Sequence, residues 1–200
     1  VSVASAGNDH RLGANEAPPA VVSMFLGDEL SEILESTEND SAYDMRERVQ
    51  MKVGVHVLPR FPKDSTDRNR TSPFAFTGNK FEFRMPGSSL SVAGPNIVLN
   101  TAVAEELRQF ADELEKDSDF NAELHTLIQR TIREHKRIIF NGNGYDGAWL
   151  REATEVRGLL NLRTTPEALP CYIKPKNIEL FEKHRVLPEP ELRSRYEIMT

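Results

Sequence analysis

The ionisable residues Lys80, Glu82 and Arg84 occupy every second position of the segment KFEFRM. Because the side chains of an extended strand alternate between its two faces, this spacing places the three on one face and the apolar Phe81 and Phe83, expected to be buried, on the other. A carboxylate between two cations can hold a divalent metal that bridges phosphate oxygens, while the cations neutralise the phosphate. A solvated strand face with ion pairs has the same pattern, so alternation alone leaves both interpretations open.

A second candidate is the loop GNDHRLGANEAP at residues 7–18, which is dense in Gly and Asn and precedes an apolar run. Arg11 offers a planar fork for a substrate carboxylate, and Glu16 could bind a cation or remove a proton from it. A structured turn is the alternative interpretation, because the same residue types are common in turns. Neither segment matches the glycine-rich dinucleotide or phosphate-binding motifs.

The elements that must position these residues change in kind near residue 95, and the change predicts an α+β fold. In the first half, short apolar runs alternate with clusters of Gly, Pro, Asn and Asp, which predicts strands at 21–26, 51–58 and 80–85. A helix is predicted directly after the first strand, with Asp28 as its N-cap.

In the second half, Val103, Leu107, Phe110 and Leu114 are separated by steps of four, three and four, which predicts an amphipathic helix. A polar break at 117–119 precedes a second helix that ends at the sequence NGNG, so a helix hairpin is expected. The apolar stripe of the first helix is interpreted as intramolecular core, with a partner interface as the alternative.

Composition excludes several classes of protein. The chain carries 25 Lys and Arg against 31 Asp and Glu, a net charge of −6, which argues against a general nucleic-acid binder. No run of 18 apolar residues is present, so no membrane association is expected. Cys171 is the only cysteine, and a signal peptide is not recognisable, so the expected location is the cytoplasm. Both ends interrupt a pattern, which suggests a piece of a longer chain.

Taken in order, the segments HRLGANEAPPA and NRTSPFAFTGNKFEFRMPG resemble the catalytic domain of glutamine synthetases. Similarity to the type III class of that family comes from three segments, AGNDHRLGANEAPPA, FAFTGNKFEFRMPGSS and NGNGY. The resemblance implies that residues 1–100 belong to an antiparallel half-barrel sheet with an inserted segment at about 27–68. Residues 101–200 would form a mostly helical region that includes the hairpin.

The resemblance also implies roles for individual residues. Arg11 matches the arginine that holds the α-carboxylate of substrate glutamate, and Glu16 the flap glutamate that binds ammonium and takes its proton. Arg70 matches an arginine at the nucleotide, near the transferred phosphoryl group. On the strand, Glu82 matches a metal-ligand carboxylate on the nucleotide side, and Lys80 lies at a nucleotide-contacting position.

Arg84 matches an arginine shared between the glutamate and the phosphoryl charges. The implied activity is a glutamate–ammonia ligase that uses ATP and Mg²⁺ or Mn²⁺ and forms a γ-glutamyl phosphate. The parent would be a homo-oligomer of stacked rings with active sites between subunits.

Ala75 departs from the family pattern, which commonly has an arginine there, and Arg68 is a possible substitute. The resemblance also implies that the family's other metal-ligand glutamates and its metal-binding His lie upstream of this chain, so the 200 residues alone are expected to be inactive. A non-catalytic or regulatory binding module that retains the fold is the alternative.

Overall fold

The computed structural model describes residues 20–41, 50–51, 61–62, 71–85, 91–116 and 119–200. These residues confirm the α+β class, with small sheets in the first half and helices in the second. The strands are β1 (Met24–Phe25), β2 (Gln50–Met51), β3 (Phe61–Pro62), β4 (Phe74–Phe76) and β5 (Phe81–Phe83). The helices are α1 (Asp28–Glu38), α2 (Ala93–Leu114), α3 (Phe120–His135), α4 (Gly147–Arg151), α5 (Thr165–Ala168), α6 (Pro175–Lys183) and α7 (Glu189–Met199). None of the helices described is long and apolar enough to cross a bilayer.

The sheet that carries the candidate strand has the order β1-β4-β5. β4 and β5 are antiparallel, but β1 pairs with β4 in parallel, so the expectation of a purely antiparallel sheet is wrong for the described strands. The main-chain N–H of Phe140 donates to the carbonyl of Met24 over 2.9 Å, so the segment after α3 extends the free edge of β1. β2 and β3 form a separate antiparallel pair, and most of the strand predicted at 51–58 lies outside the described residues.

The start of α1 differs from the sequence prediction because Gly27, not Asp28, is the N-cap. Gly27 has a φ of 80°, a region that glycine occupies without steric cost, and Asp28 lies in the first turn, where its charge favours the helix dipole. The two residues before the helix are held from far along the chain. The Oδ1 of Asn141 accepts from the main-chain N–H groups of Leu26 and Gly27 at 3.0 and 3.1 Å.

The helix α2 forms as predicted, but the first half of its apolar stripe is not buried as expected, while Phe110 and Leu114 are half-buried. Val103 and Leu107 are 55% and 61% exposed. Nearer the N-terminus of the helix, Ile97 and Val98 pack on a buried cluster made by α6 and α7. An apolar stripe is buried only where another element covers it, and none of the described elements covers Val103 and Leu107.

The helix α3 packs along α1 mainly through polar contacts. Gln129 and Arg133 donate to the main-chain carbonyls of Thr37 and Glu38, each over 2.9 Å. These carbonyls belong to the last turn of α1, where no further turn provides hydrogen-bond donors. Just after α3, the Nζ of Lys136 lies 2.7 Å from the carboxylate of Glu38. The end of α1 is thus held by side chains that are four residues apart on one face of α3.

A second buried cluster joins the segment before β1 to the residues after α3. Trp149 is 2% exposed and stacks on Phe140 with ring centroids 3.7 Å apart. Val21 and Ala153 complete the cluster, and both are fully buried. The guanidinium of Arg157 lies 4.8 Å above the Trp149 ring, close enough for a cation–π contact.

Candidate functional site

A tight hairpin positions the candidate residues of β5. Gly78 takes a φ of 92°, and the N–H of Thr77 donates to the carbonyl of Lys80 over 2.8 Å, which closes the turn between β4 and β5. The strand is shorter than predicted, so that Lys80 and Arg84 flank β5. The N–H of Arg84 donates to the carbonyl of Pro73 at 2.9 Å and continues the pairing by one residue.

The three ionisable side chains lie together, as the alternation predicts. The Nε and Nη2 of Arg84 donate to the Oε2 of Glu82 at 3.3 and 3.2 Å, and the Nζ of Lys80 lies 3.7 Å from Oε1. Exposure differs along the group: the Arg84 side chain is 13% exposed, that of Glu82 is 40% and that of Lys80 is 66%. An accessible carboxylate held by a well-packed arginine can accept a cation and remain next to positive charge.

The opposite face of the hairpin is less buried than predicted. Phe81 is 47% exposed, so the expectation that it is buried is wrong, while Met85 is buried at 6% exposure. Phe81 stacks on Phe74, with centroids 5.2 Å apart, and Phe83 meets the same ring edge-on at 6.4 Å. Phe83 is half-buried. The aromatic side chains cover one another at the turn end of the hairpin, where no further described strand lies over them.

Ala75 lies directly opposite Glu82 in the antiparallel register and is fully buried. Directly opposed residues of neighbouring strands project from the same face of the sheet. The position where the sequence lacks an expected arginine is therefore next to Glu82. Among the described residues, Arg84 and Lys80 carry positive charge next to the Glu82 carboxylate.

Three predicted site residues, Arg11, Glu16 and Arg70, lie outside the described residues, as does Arg68. Their convergence with Glu82 and Arg84 stays a prediction. In the parts of the chain that the structure describes, no three His, Cys, Asp or Glu side chains gather as a metal-binding group. Glu82 thus offers one oxygen donor of the kind that Mg²⁺ and Mn²⁺ prefer, and the described residues do not complete a coordination shell.

The structure also shows a charged junction that the sequence pattern did not reveal. The carboxylate of Glu105 in α2 lies 2.8 Å from the Nζ of Lys183 and 2.7 Å from the Nε2 of His184, at the end of α6. Hydrogen bonds from Arg108, Lys183 and His184, in that order of effect, hold the pKa of Glu105 well below its usual range. No sequence signal connects residues 79 positions apart, so only the fold brings them together.

Known proteins are similar in sequence to nearly the whole of this chain. The model of the glutamine synthetase C-terminal domain matches residues 123–200. A type-3 glutamine synthetase of Dictyostelium discoideum is 50% identical over 99% of this chain. Glutamine synthetases of Butyrivibrio fibrisolvens and Bacteroides fragilis are 44% and 42% identical over 100% and 98% of it. The chain spans only 27% to 28% of the length of these relatives.

Proposed function

Because the chain belongs to the glutamine synthetase family, we propose that it forms part of the active site of a type III glutamate–ammonia ligase. The observation that carries this proposal is the grouping of Lys80, Glu82 and Arg84 at β5, within the segment that resembles the family's strand. The grouping places an accessible carboxylate beside fixed positive charge, which a reaction that moves a phosphoryl group requires.

In the proposed reaction, the γ-carboxylate of glutamate attacks the γ-phosphorus of ATP, and ADP leaves. Ammonia then attacks the acyl carbon of γ-glutamyl phosphate, and inorganic phosphate leaves to give glutamine. Glu16 takes the proton that ammonium must lose, and Arg11 holds the α-carboxylate of glutamate. Arg70 and Arg84 stabilise the charge that develops on the phosphoryl oxygens.

Lys80 would contact the nucleotide in this arrangement, and Glu82 would supply one carboxylate oxygen to a bound divalent cation. When bound, Mg²⁺ or Mn²⁺ would neutralise phosphate charge. The Glu82 carboxylate suits this role because it is 40% exposed. Arg84, 13% exposed and bonded to Glu82 through two nitrogens, is the better-fixed of the two cations.

The wider assignments belong to the same proposal. Residues 1–100 would contribute to the family's half-barrel, with an inserted segment at about 27–68, and residues 101–200 would form the helical region. The whole protein would be a cytoplasmic homo-oligomer of stacked rings, with active sites between subunits. The 200 residues alone would make no glutamine, and ATP- and ammonium-dependent turnover by this chain in isolation would contradict that statement.

A non-catalytic family member is the second candidate, and Ala75 is the observation that favours it. The position is buried opposite Glu82, where the family commonly has an arginine. If the charge it lacks were essential, the protein would bind ligands without turnover.

Substitutions at β5 in the full-length protein distinguish the two candidates. We expect Glu82→Ala to weaken the divalent-metal dependence and to lower kcat. Arg84→Lys keeps the charge but loses the planar fork, so it should also lower kcat, by about 10²–10³-fold if the contact is made mainly in the transition state. The measurement is steady-state release of phosphate and formation of glutamine by purified variants.

The matched controls are Glu179→Ala in α6 and Arg151→Lys in α4, both at exposed positions. Both controls should retain wild-type kcat. Wild-type kcat in folded Glu82→Ala and Arg84→Lys would show that the β5 group is only a solvated surface. An inactive wild-type protein that still binds ATP would favour the non-catalytic candidate.

A further inference from the structure

A cavity of about 660 Å³ lies between α1 on one side and the last turn of α3 with the segment that follows it on the other. Its apolar wall includes Leu34, Ile132 and Ile139. Its volume falls within the range of about 300–1,000 Å³ that is typical of small-molecule sites. The cavity shares no lining residue with the group at β5, and all of its lining residues belong to the described part of the chain.

Two arginines at the edge of this cavity are fixed by reciprocal contacts. The Nη1 of Arg137 donates to the carbonyl of Arg157 at 3.3 Å, and the Nη1 of Arg157 donates to the carbonyl of Arg137 at 3.2 Å. Arg157 is held further by the carbonyl of Ile139, by the carboxylate of Glu152 at 2.6 Å and by the Trp149 ring. These contacts hold Arg157 through several groups, and they hold the exposed Arg137 through the carbonyl of Arg157.

Arg133 lies one helical turn before Arg137 and also lines the cavity. Its Nη2 donates to the carbonyl of Glu38, a neutral acceptor. Within the described residues, neither Arg133 nor Arg137 forms an ion pair with a carboxylate. Each guanidinium has five N–H donors, so hydrogen bonds to one carbonyl use only part of its capacity.

The remaining charged groups that line the cavity balance Arg133 and Arg137 in number but form no ion pair with them within the described residues. Lys136 and Glu38 neutralise each other at 2.7 Å. The two remaining carboxylates are those of Glu35 and Glu134; Glu35 is exposed, and the Glu134 side chain is 58% exposed. Arg133 and Arg137 are exposed as well. An anion in the cavity would be repelled by the two carboxylates and attracted by Arg133 and Arg137, which can also donate hydrogen bonds to it, whereas the carboxylates cannot.

We propose that this cavity binds a small organic oxyanion, a phosphate ester or a carboxylate. The oxyanion lies against Arg133 and Arg137, and the apolar body of the ligand lies against Leu34, Ile132 and Ile139. Arginine suits both oxyanions because its planar fork matches two of their oxygens. The size of the cavity and its apolar wall favour an organic anion over a bare inorganic one. The inference concerns binding and does not depend on the proposed ligase activity.

Isothermal titration of the full chain tests the proposal with four probes of matched shape or charge. These are cyclohexyl phosphate, cyclohexanecarboxylate, cyclohexanol and inorganic phosphate. At least one of the two organic anions should bind saturably and more tightly than either inorganic phosphate or the neutral alcohol. The relative affinity of the two organic anions identifies which oxyanion the site prefers.

Substitutions then connect that binding to the cavity. Arg137→Gln and Arg133→Gln should each weaken it by about tenfold, the scale of a charge-assisted hydrogen bond. Glu134→Gln should tighten it by about two- to threefold, because it removes a repelling charge near the surface. Arg151→Gln is the matched control, since Arg151 is exposed and does not line the cavity.

Circular dichroism and Trp149 fluorescence confirm that each variant is folded before it is titrated. Failure of both organic anions to bind the folded wild-type chain would overturn the proposal. So would equal affinity in wild type and in both arginine variants, or binding of inorganic phosphate as tight as that of the organic anions.

Discussion

Replacement of Gly144 by alanine tests how the NGNGY loop is joined to β4. Gly144 is buried, and its main-chain N–H donates to the carbonyl of Thr71 over 3.1 Å. A Cβ atom added to Gly144 would lie 2.2 Å from that carbonyl oxygen, whereas real Cβ contacts are essentially never shorter than 3.0 Å. The loop must therefore move by roughly 1 Å away from Thr71, and the hydrogen bond is lost in the process.

The expected cost follows from these two effects. A buried N–H without its acceptor costs about 1–3 kcal/mol, and overpacking of a tight contact costs about 1–3 kcal/mol. We therefore expect Gly144→Ala to lower the free energy of unfolding by about 3 kcal/mol. With a typical urea dependence for a domain of this size, the midpoint moves down by roughly 1–2 M.

Gly147→Ala is the matched control, three residues further along the chain. A Cβ added there meets no atom within 4 Å, and Gly147 is the first residue of α4. Because alanine favours a helix over glycine, this change should be neutral or stabilising by up to about 1 kcal/mol. Urea unfolding can be followed through Trp149, which is the only tryptophan and is 2% exposed. Equal unfolding free energies for the two variants, within about 0.5 kcal/mol, would refute this account of the loop.

Three further predictions concern stability. Asn141→Ala removes the acceptor for the N–H groups of Leu26 and Gly27 and the donor to Ser31, so it should lower the free energy of urea unfolding by about 2–3 kcal/mol. The control Asn121→Ala, at an exposed position of α3, should lower it by less than about 0.5 kcal/mol. Leu127→Ala should lower the free energy of unfolding by about 2–5 kcal/mol because the side chain is only 3% exposed. Leu107→Ala, at a position that is 61% exposed, should lower it by less than about 1 kcal/mol, and similar values for the two variants would contradict the assigned burial. Because the pKa of Glu105 is lowered in the folded state, its carboxylate binds fewer protons there than in the unfolded state. Its contribution to the free energy of unfolding is therefore complete above about pH 4.5 and falls as the pH decreases below that value. Thermal melts from pH 6 to pH 3 should show a smaller loss of stability for Glu105→Gln than for wild type, and parallel curves would contradict the prediction.

The features that could be predicted from sequence depend on neighbours along the chain. The alternation around Glu82 places Lys80 and Arg84 beside it, because period-two geometry is a property of any extended strand. The helix α2 follows from its apolar spacing and α3 from the pattern after the polar break, because helical periodicity is equally local. The candidate group at β5 is therefore predictable from a few consecutive residues.

The features that could not be predicted depend on which elements meet. Val103 and Leu107 have the spacing of a core stripe, yet they are exposed because none of the described elements lies over their side chains. Phe81 has the position of a buried strand residue, yet it lies at the turn end of a hairpin and is half exposed. Periodicity identifies a face of an element but contains no information about what covers that face.

By itself, the sequence determined the α+β class, the local faces of β5 and α2, and a resemblance that the similarity to known glutamine synthetases confirms. Only the tertiary structure decided that β1 lies parallel to β4, that Asn141 binds Gly27, 114 residues earlier in the chain, and that Ala75 faces Glu82. The physical reason is the range of the interactions. Backbone geometry repeats over a few residues, whereas a hydrogen bond or a buried contact between distant segments exists only after the whole chain has brought them within a few ångströms.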